Sequence, residues 1–329
     1  MHRIFSVFAV IGLLLFGAIT TQAAAPGAAP DSNPHGRFLG IVPVHNNSKP
    51  SGGGTGNLIY HAAGQVQTGT HRTYSIYWGT DFSYNGATTY QPLIDGYFQN
   101  VAVDSGKSSN VYYSDTQYYQ TLNSTTTNIT YSEAFGGTYS DSTLPASNGC
   151  NSTAGGSICV SDAQLQAEVA KARAANGWPD GLNAEYFVFL GNGVSTCISS
   201  SSCAFSQFCA YHSHYLDASG NDVLYANQPF TGHNLSACSG AVGSPNNNAA
   251  ADATISVVSH EANETITDGL GNAWYDSSGN ENGDKCAYKY GTALGSINGG
   301  QYNQNIGTGH YEMQQEWSNR SSGCVLTGT

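Results

Sequence analysis

The sequence predicts an α+β fold: a single secreted domain with a mixed sheet and a zincin-like motif helix, disulfide-stapled in its C-terminal part. Three observations carry that expectation. Apolar residues recur at helical spacing around His260-Glu261-Ala262-Asn263-Glu264. Short alternating or wholly apolar runs, bounded by Gly, Asn and Pro, read as strands. The eight cysteines, an even number, all lie at or after Cys150. Helices and strands interleave without a βαβ rhythm, which places α+β ahead of a doubly wound sheet.

Taken in order, residues 1–24 read as a signal peptide. Arg3 supplies the positive start, Ile4 to Ile19 the apolar core, and Thr21-Gln22-Ala23-Ala24-Ala25 the small residues for cleavage. No second apolar run of membrane length follows, so no stable anchor is expected after cleavage. Residues 25–56, rich in Pro, Gly, Ser and Asn, read as a flexible linker or a pro-segment, and residues 57–329 as the domain. Thr73 to Trp78 alternates as an early strand. Tyr90 to Val103 repeats its apolar residues at helical period. Val111 to Tyr139 is Tyr/Thr/Ser-rich, with short strands at best. Ser161-Asp-Ala-Gln164 predicts a capping box, opening a helix that stops at Gly177. Glu185 to Leu190 is the best core strand, and Val223 to Tyr225 a further short one. Ile255, Val258, Ala262 and Ile266 then form the stripe of a helix over about Asp252 to Thr267, with Asn248 or Asp252 as its cap and Asp268-Gly269 as its stop.

Composition narrows the function. Charged residues are 10% of the chain, against about 25% in ordinary domains. The formal net charge is −12, and no Lys/Arg cluster exists, which excludes nucleic acid as a partner. A surface of hydroxyls, amides and tyrosines suits a secreted, extracellular monomer. In an exported chain eight cysteines imply four disulfides, and proximity points to Cys150–Cys159 and Cys286–Cys324.

The chemistry concentrates at the HExxE motif. In HExxH peptidases two histidines one helical turn apart grip zinc and the intervening Glu acts as base. Here His260 and Glu264 fall on one face as metal ligands, glutamate being itself a zinc ligand, and Glu261 is the base toward a metal-activated water. Catalytic zinc needs a third protein ligand. Asp284, 24 positions after His260, matches the spacing of thermolysin-like enzymes, with Asp276 and Glu281 as rivals. The same acidic loop also suits Ca2+, as an alternative or a second ion. In Cys209-Ala-Tyr-His212-Ser-His214, residues two apart share a strand face, so His212, and after it His214, is a further site candidate. Tyr211 or Tyr275 is a candidate for stabilising an oxyanion. The bland alternative is a solvated polar helix beside an acidic turn.

Several blocks resemble the phosphate-induced protein 1 family, to which the plant EXORDIUM proteins belong, and more closely its microbial relatives. They are Asn57-Leu-Ile-Tyr-His61, Tyr77-Trp-Gly79, Phe189-Leu-Gly-Asn192, Cys209-Ala-Tyr-His212, Val258 to Asp268, Asn272-Ala-Trp-Tyr-Asp276, Gly283-Asp-Lys-Cys286 and Trp317 to Leu326. The resemblance implies secretion and fold kinship. Plant members lack an intact HExxE here, so the hydrolase expectation rests on the motif alone. Two classes stay open: a zinc-dependent peptidase or amide hydrolase acting on protein or peptide, and a non-catalytic protein binding a cell-wall component. A sequon, Asn263-Glu-Thr265, lies inside the motif.

Overall fold

A computed structural model describes residues 39–45, 56–152 and 154–328. The expected signal peptide and most of the linker region lie outside them. Six strands form the main sheet: β1 (Leu39–Pro43), β2 (His71–Trp78), β3 (Glu133–Asp141), β4 (Ala184–Leu190), β5 (Phe208–Leu216) and β6 (Asp222–Gln228). Their spatial order is β1-β5-β6-β4-β2-β3. The β1–β5 and β5–β6 pairs are antiparallel, whereas β6–β4, β4–β2 and β2–β3 are parallel, so the sheet is mixed.

Parallel neighbours need long crossovers. Helices α1 (Tyr90–Val103) and α2 (Asp162–Asn176) lie in those between β2 and β3 and between β3 and β4. The expectation of no βαβ rhythm is corrected here. The rhythm is hidden because β3 carries Gly136-Gly137 at a register shift against β2 and exposes part of its length. Strand β4 is buried along its whole length, as a central parallel strand covered on both faces should be. Its side chains alternate. Phe187 and Phe189 join Ile94, Tyr97 and Phe98 of α1, while Tyr186, Val188 and Leu190 join Leu165, Val169 and Ala172 of α2.

A third long helix, α3 (Ala249–Asp268), packs over β1, β5 and β6 on the α1 side. Asn248 accepts the Ala251 N–H and caps its start. The Asp268 carboxylate receives the Ala273 N–H at 2.5 Å, fixing the exit turn. Helix α2 carries the expected capping box, both halves formed by Ser161 and Gln164, and ends at Gly177 with φ 64°.

Residues 39–43 fell within the stretch read as linker or pro-segment, yet they form the edge strand. Val42 and Val44 are buried in the core, and the Val44 N–H donates to Gln207 O at 3.2 Å. For these residues the flexible-linker expectation is corrected: two valines two apart give this segment an inward face. The four disulfides are Cys150–Cys159, Cys197–Cys203, Cys209–Cys238 and Cys286–Cys324, which include both pairs expected from proximity. They fit an oxidising compartment. No helix among the described residues is long and apolar enough to cross a membrane.

Candidate metal centre

Helix periodicity puts His260 and Glu264 one turn apart on the face of α3 turned toward β1 and β5. His260 Nε2 stands 3.0 Å from Glu264 Oε1. The chain leaves α3 and returns through Glu281 to Asp284, where the Asp284 N–H donates to Glu264 Oε1 at 2.8 Å. That return is held by Cys286–Cys324 and by a short 3-10 turn over Asp284–Cys286. Asp284 Oδ1 comes to 4.0 Å from His260 Nε2. Gly283 packs on the pair so closely that a Cβ there would meet His260 Cγ at 2.8 Å and Glu264 Oε1 at 2.9 Å.

The second approach is from β5. Alternation along the strand turns His212 toward α3, where its Nδ1 lies 3.0 Å from Glu261 Oε2 and 3.6 Å from Glu264 Oε2. Its Nε2 is 3.7 Å from Glu281 Oε1. The backbone N–H of Gly40 in β1 donates to Glu281 Oε2 at 2.7 Å. Ligand atoms therefore converge in two groups, His260/Glu264/Asp284 and His212/Glu264/Glu281, each within 4.8 Å.

Other candidates lie elsewhere. Asp276 is outside both groups: it pairs with Lys285 at 2.9 Å and caps the Ser278 and Asn280 amides of its turn. His214 pairs with Asp222 at 3.0 Å. The Tyr211 hydroxyl donates to Asp162 at 2.7 Å on the opposite sheet face, because neighbouring strand residues point apart. Tyr275 stacks on His61 with ring centroids 3.5 Å apart. Asn263 is fully buried and donates to Ser259 O at 2.6 Å, so the folded chain has no room for a glycan there. The helix face bearing the motif is likewise buried; the solvated-face alternative does not hold.

Electrostatics make the cluster costly as it stands. His260, Glu261, Glu264 and His212 are wholly buried. Burial, then the neighbouring Glu264 and Asp284 charges, pushes Glu261 well above the usual carboxylate range. Burial and Glu264 do the same to Glu281, and raise Asp284 to about 7. Burial lowers His212 to about 4. For His260 burial opposes the cation, but Glu264 and Asp284 outweigh it and raise its pKa. Burial also opposes the Glu264 anion, and His260 outweighs it to lower that pKa. Both ring nitrogens of His260, His212 Nε2, Glu261 Oε1, Glu264 Oε2 and Glu281 Oε1 are buried without a hydrogen-bond partner. Orphaned polar atoms on His260, His212, Glu264 and Glu281, residues whose ligand atoms converge, are what a divalent cation satisfies.

Sequence reasoning missed Gly40, whose backbone reaches the cluster from across the sheet edge. It also missed Glu316, which is fully buried with neither oxygen hydrogen-bonded; burial and then Asp115 and Glu264 raise its pKa. Glu185 escaped notice inside its apolar run; it accepts from the Thr265 hydroxyl of α3 at 2.8 Å and lies 3.0 Å from His71 Nε2. The only signal was chemical: an acidic residue inside a core strand needs a partner. The open clefts around Thr80, Asp81 and Gln91 and around Leu235, Gly243 and Ala253 contain no member of the cluster. Comparisons of the chain with protein-family models, curated proteins and solved structures return no match.

Proposed function

We propose that this chain is a secreted, zinc-dependent peptidase or amide hydrolase whose centre is built on the HExxE helix. The observation that carries it is the convergence of His260, Glu264 and Asp284 ligand atoms within 4.8 Å, with Glu261 next to His212, which also approaches Glu264. The donor set favours zinc over calcium, since imidazole suits zinc and calcium takes oxygen ligands. Zinc, when bound, supplies a Lewis acid and lowers the pKa of water.

The chain's own residues account for the rest. His260, Glu264 and Asp284 hold the ion, and the Asp284 amide fixes one oxygen of Glu264. Glu261 Oε2 lies 3.0 Å from His212 Nδ1 while Oε1 has no partner, so an ionised Glu261 accepts from Nδ1–H at one oxygen and is available to take a proton at the other. A protein or peptide is the expected substrate, in keeping with an exported, disulfide-bonded chain.

Complete burial favours a second reading. The side chains of this cluster are at most 4% exposed, apart from Asp284 at 20%. A closed site suits a structural ion in a wall-associated binding protein of the EXORDIUM type. Metal content and hydrolysis of casein and short amides, measured on wild type, Glu261→Gln and His260→Ala, separate the two. The hydrolase reading expects Glu261→Gln to stay loaded yet lose about 10²–10⁴ in rate, as for loss of a general base, and His260→Ala to be empty and inactive. A metal-loaded wild type with no hydrolytic activity, whose melting point falls on chelation, refutes it in favour of the structural ion.

A further inference from the structure

Glu264 belongs to both ligand groups, and its two oxygens divide between them. Oε1 faces His260 Nε2 at 3.0 Å, with Asp284 Oδ1 4.0 Å from that same nitrogen. Oε2 faces His212 Nδ1 at 3.6 Å, and Glu281 Oε1 lies 3.7 Å from His212 Nε2. We propose that the centre is dinuclear, with Glu264 bridging one divalent ion held by His260 and Asp284 and a second held by His212 and Glu281.

Three observations support two ions. First, the spacings fit. Two donors on one tetrahedral zinc, each about 2.0–2.2 Å from it, stand roughly 3.4 Å apart, and the three separations above between proposed ligand atoms, 3.0, 3.7 and 4.0 Å, bracket that value. The His260–Glu264 approach is moreover unaligned for a hydrogen bond, since His260 Nε2 has no hydrogen-bond partner. Second, the second group carries its own buried unpartnered atoms, namely His212 Nε2, Glu281 Oε1 and Glu264 Oε2. Nothing in the first group satisfies them. Third, the outer contacts are those of a ligand set. His212 Nδ1 lies 3.0 Å from Glu261 Oε2, and when it carries the ring proton toward that oxygen, Nε2 is free for an ion. The Gly40 amide takes one oxygen of Glu281 and leaves the other.

A carboxylate-bridged pair of this kind holds its ions about 3.5–4 Å apart. It clamps a substrate oxygen from two sides, and so suits an amide or ester carbonyl or a phosphoryl group. The assignment rests on the metal-centre reading above and adds the second ion to it.

The test is stoichiometry on the full chain, stripped with a chelator and reloaded with Zn2+, read by elemental analysis. Wild type should hold two ions per chain. Glu281→Gln and Asp284→Asn, which preserve shape, should each hold one, and Glu264→Gln should retain neither at concentrations that fill wild type. Reloaded with Mn2+, wild type should show an exchange-coupled paramagnetic resonance spectrum. Glu281→Gln should show that of an isolated ion. Near-ultraviolet circular dichroism identifies any variant that has lost its packing; in that case the wild-type Mn2+ spectrum alone decides. One ion in wild type, kept by Glu281→Gln and lost by Asp284→Asn, overturns the dinuclear assignment and leaves the mononuclear centre standing. No bound ion in wild type overturns both. Two ions kept by Glu281→Gln overturn the ligand assignment.

Discussion

Replacing Gly40 with alanine tests how tightly β1 is seated on the cluster. Gly40 has φ +37°, in the region where an L residue is strained, and an added Cβ would fall deep inside the contact radii of Glu264 Oε2 and the His212 ring. Neither neighbour can yield easily. Glu264 is held at Oε1 by the Asp284 amide at 2.8 Å, and Gly283 packs against that same oxygen. His212 is held at 3.0 Å by Glu261. The left-handed backbone costs about 1–2 kcal/mol, and overpacking a filled interior about 1–3 kcal/mol. Gly40→Ala should therefore destabilise the chain by about 2–5 kcal/mol. At a slope of about 3 kcal/mol per molar urea, the midpoint falls by roughly 1 M. Gly86→Ala is the control, because Gly86 has φ +81° but open space around it, and it should pay only the backbone part. Hydrogen exchange should show the damage at the β1–β5 ladder, where Ile41 faces Tyr211. If Gly40→Ala unfolds at the same midpoint as Gly86→Ala, with the β1 amides as protected as in wild type, the close seating is wrong.

Three further outcomes are expected. His71 lies between Glu133 at 2.8 Å and Glu185 at 3.0 Å. Burial opposes its charge, but Glu133 and then Glu185 raise its pKa to about 10, and burial raises both glutamates as well. All three shifts favour the proton-bound form. The His71 stabilisation is thus complete below about pH 6.5 and is lost as pH rises through about 10. Urea midpoints should fall from pH 7 to pH 10 in wild type, by at most about 1.4 kcal/mol per pH unit for one proton. The slope should be shallower in His71→Gln; equal slopes would exclude the linkage. Asn248→Ala should lower stability by about 1 kcal/mol through loss of the α3 cap, and an unchanged midpoint would show that the Ala251 amide finds another partner. Thiol titration under denaturing, non-reducing conditions should find no free cysteine, since all eight are paired; several reactive thiols would refute the pairing.

The parts of this molecule legible in its sequence are those written locally. Helix α3 announced itself because stripe, cap and stop all agree, and α2 because Ser161 and Gln164 lie three residues apart. The pair Cys150–Cys159 closes a loop of only 9 residues, whereas Cys197–Cys203 and Cys209–Cys238, 6 and 29 apart, were not read because spacing alone does not fix connectivity. What depends on distant partners was not legible. Gly40 matters through its closeness to His212 and Glu264, residues the chain reaches much later. Nothing in the turn sequence tells Glu281 and Asp284, which face the cluster, from Asp276, which faces Lys285. The parallel centre was hidden for the same reason. Strand β3 is only partly buried and glycine-bulged, and only its pairing with β2 makes it a strand.

The seat of β1 also has a consequence in time. Ile41 pairs with Tyr211, 170 positions further on. During synthesis the N-terminal strand leaves the ribosome long before its partner exists. Its pairing must then close a loop whose entropic cost grows with length. The hairpin of β5 and β6, joined by a turn of five residues between Leu216 and Asp222, has no such delay. The order of assembly follows: β5, β6 and α3 come together first, leaving one sheet edge and the ligand cluster open, and β1 closes over them last. The ligand cluster is therefore most open to an ion before that closure. Pulse-labelled hydrogen exchange during refolding would show it, with the Val44 amide protected after those of β6; simultaneous protection would contradict the order.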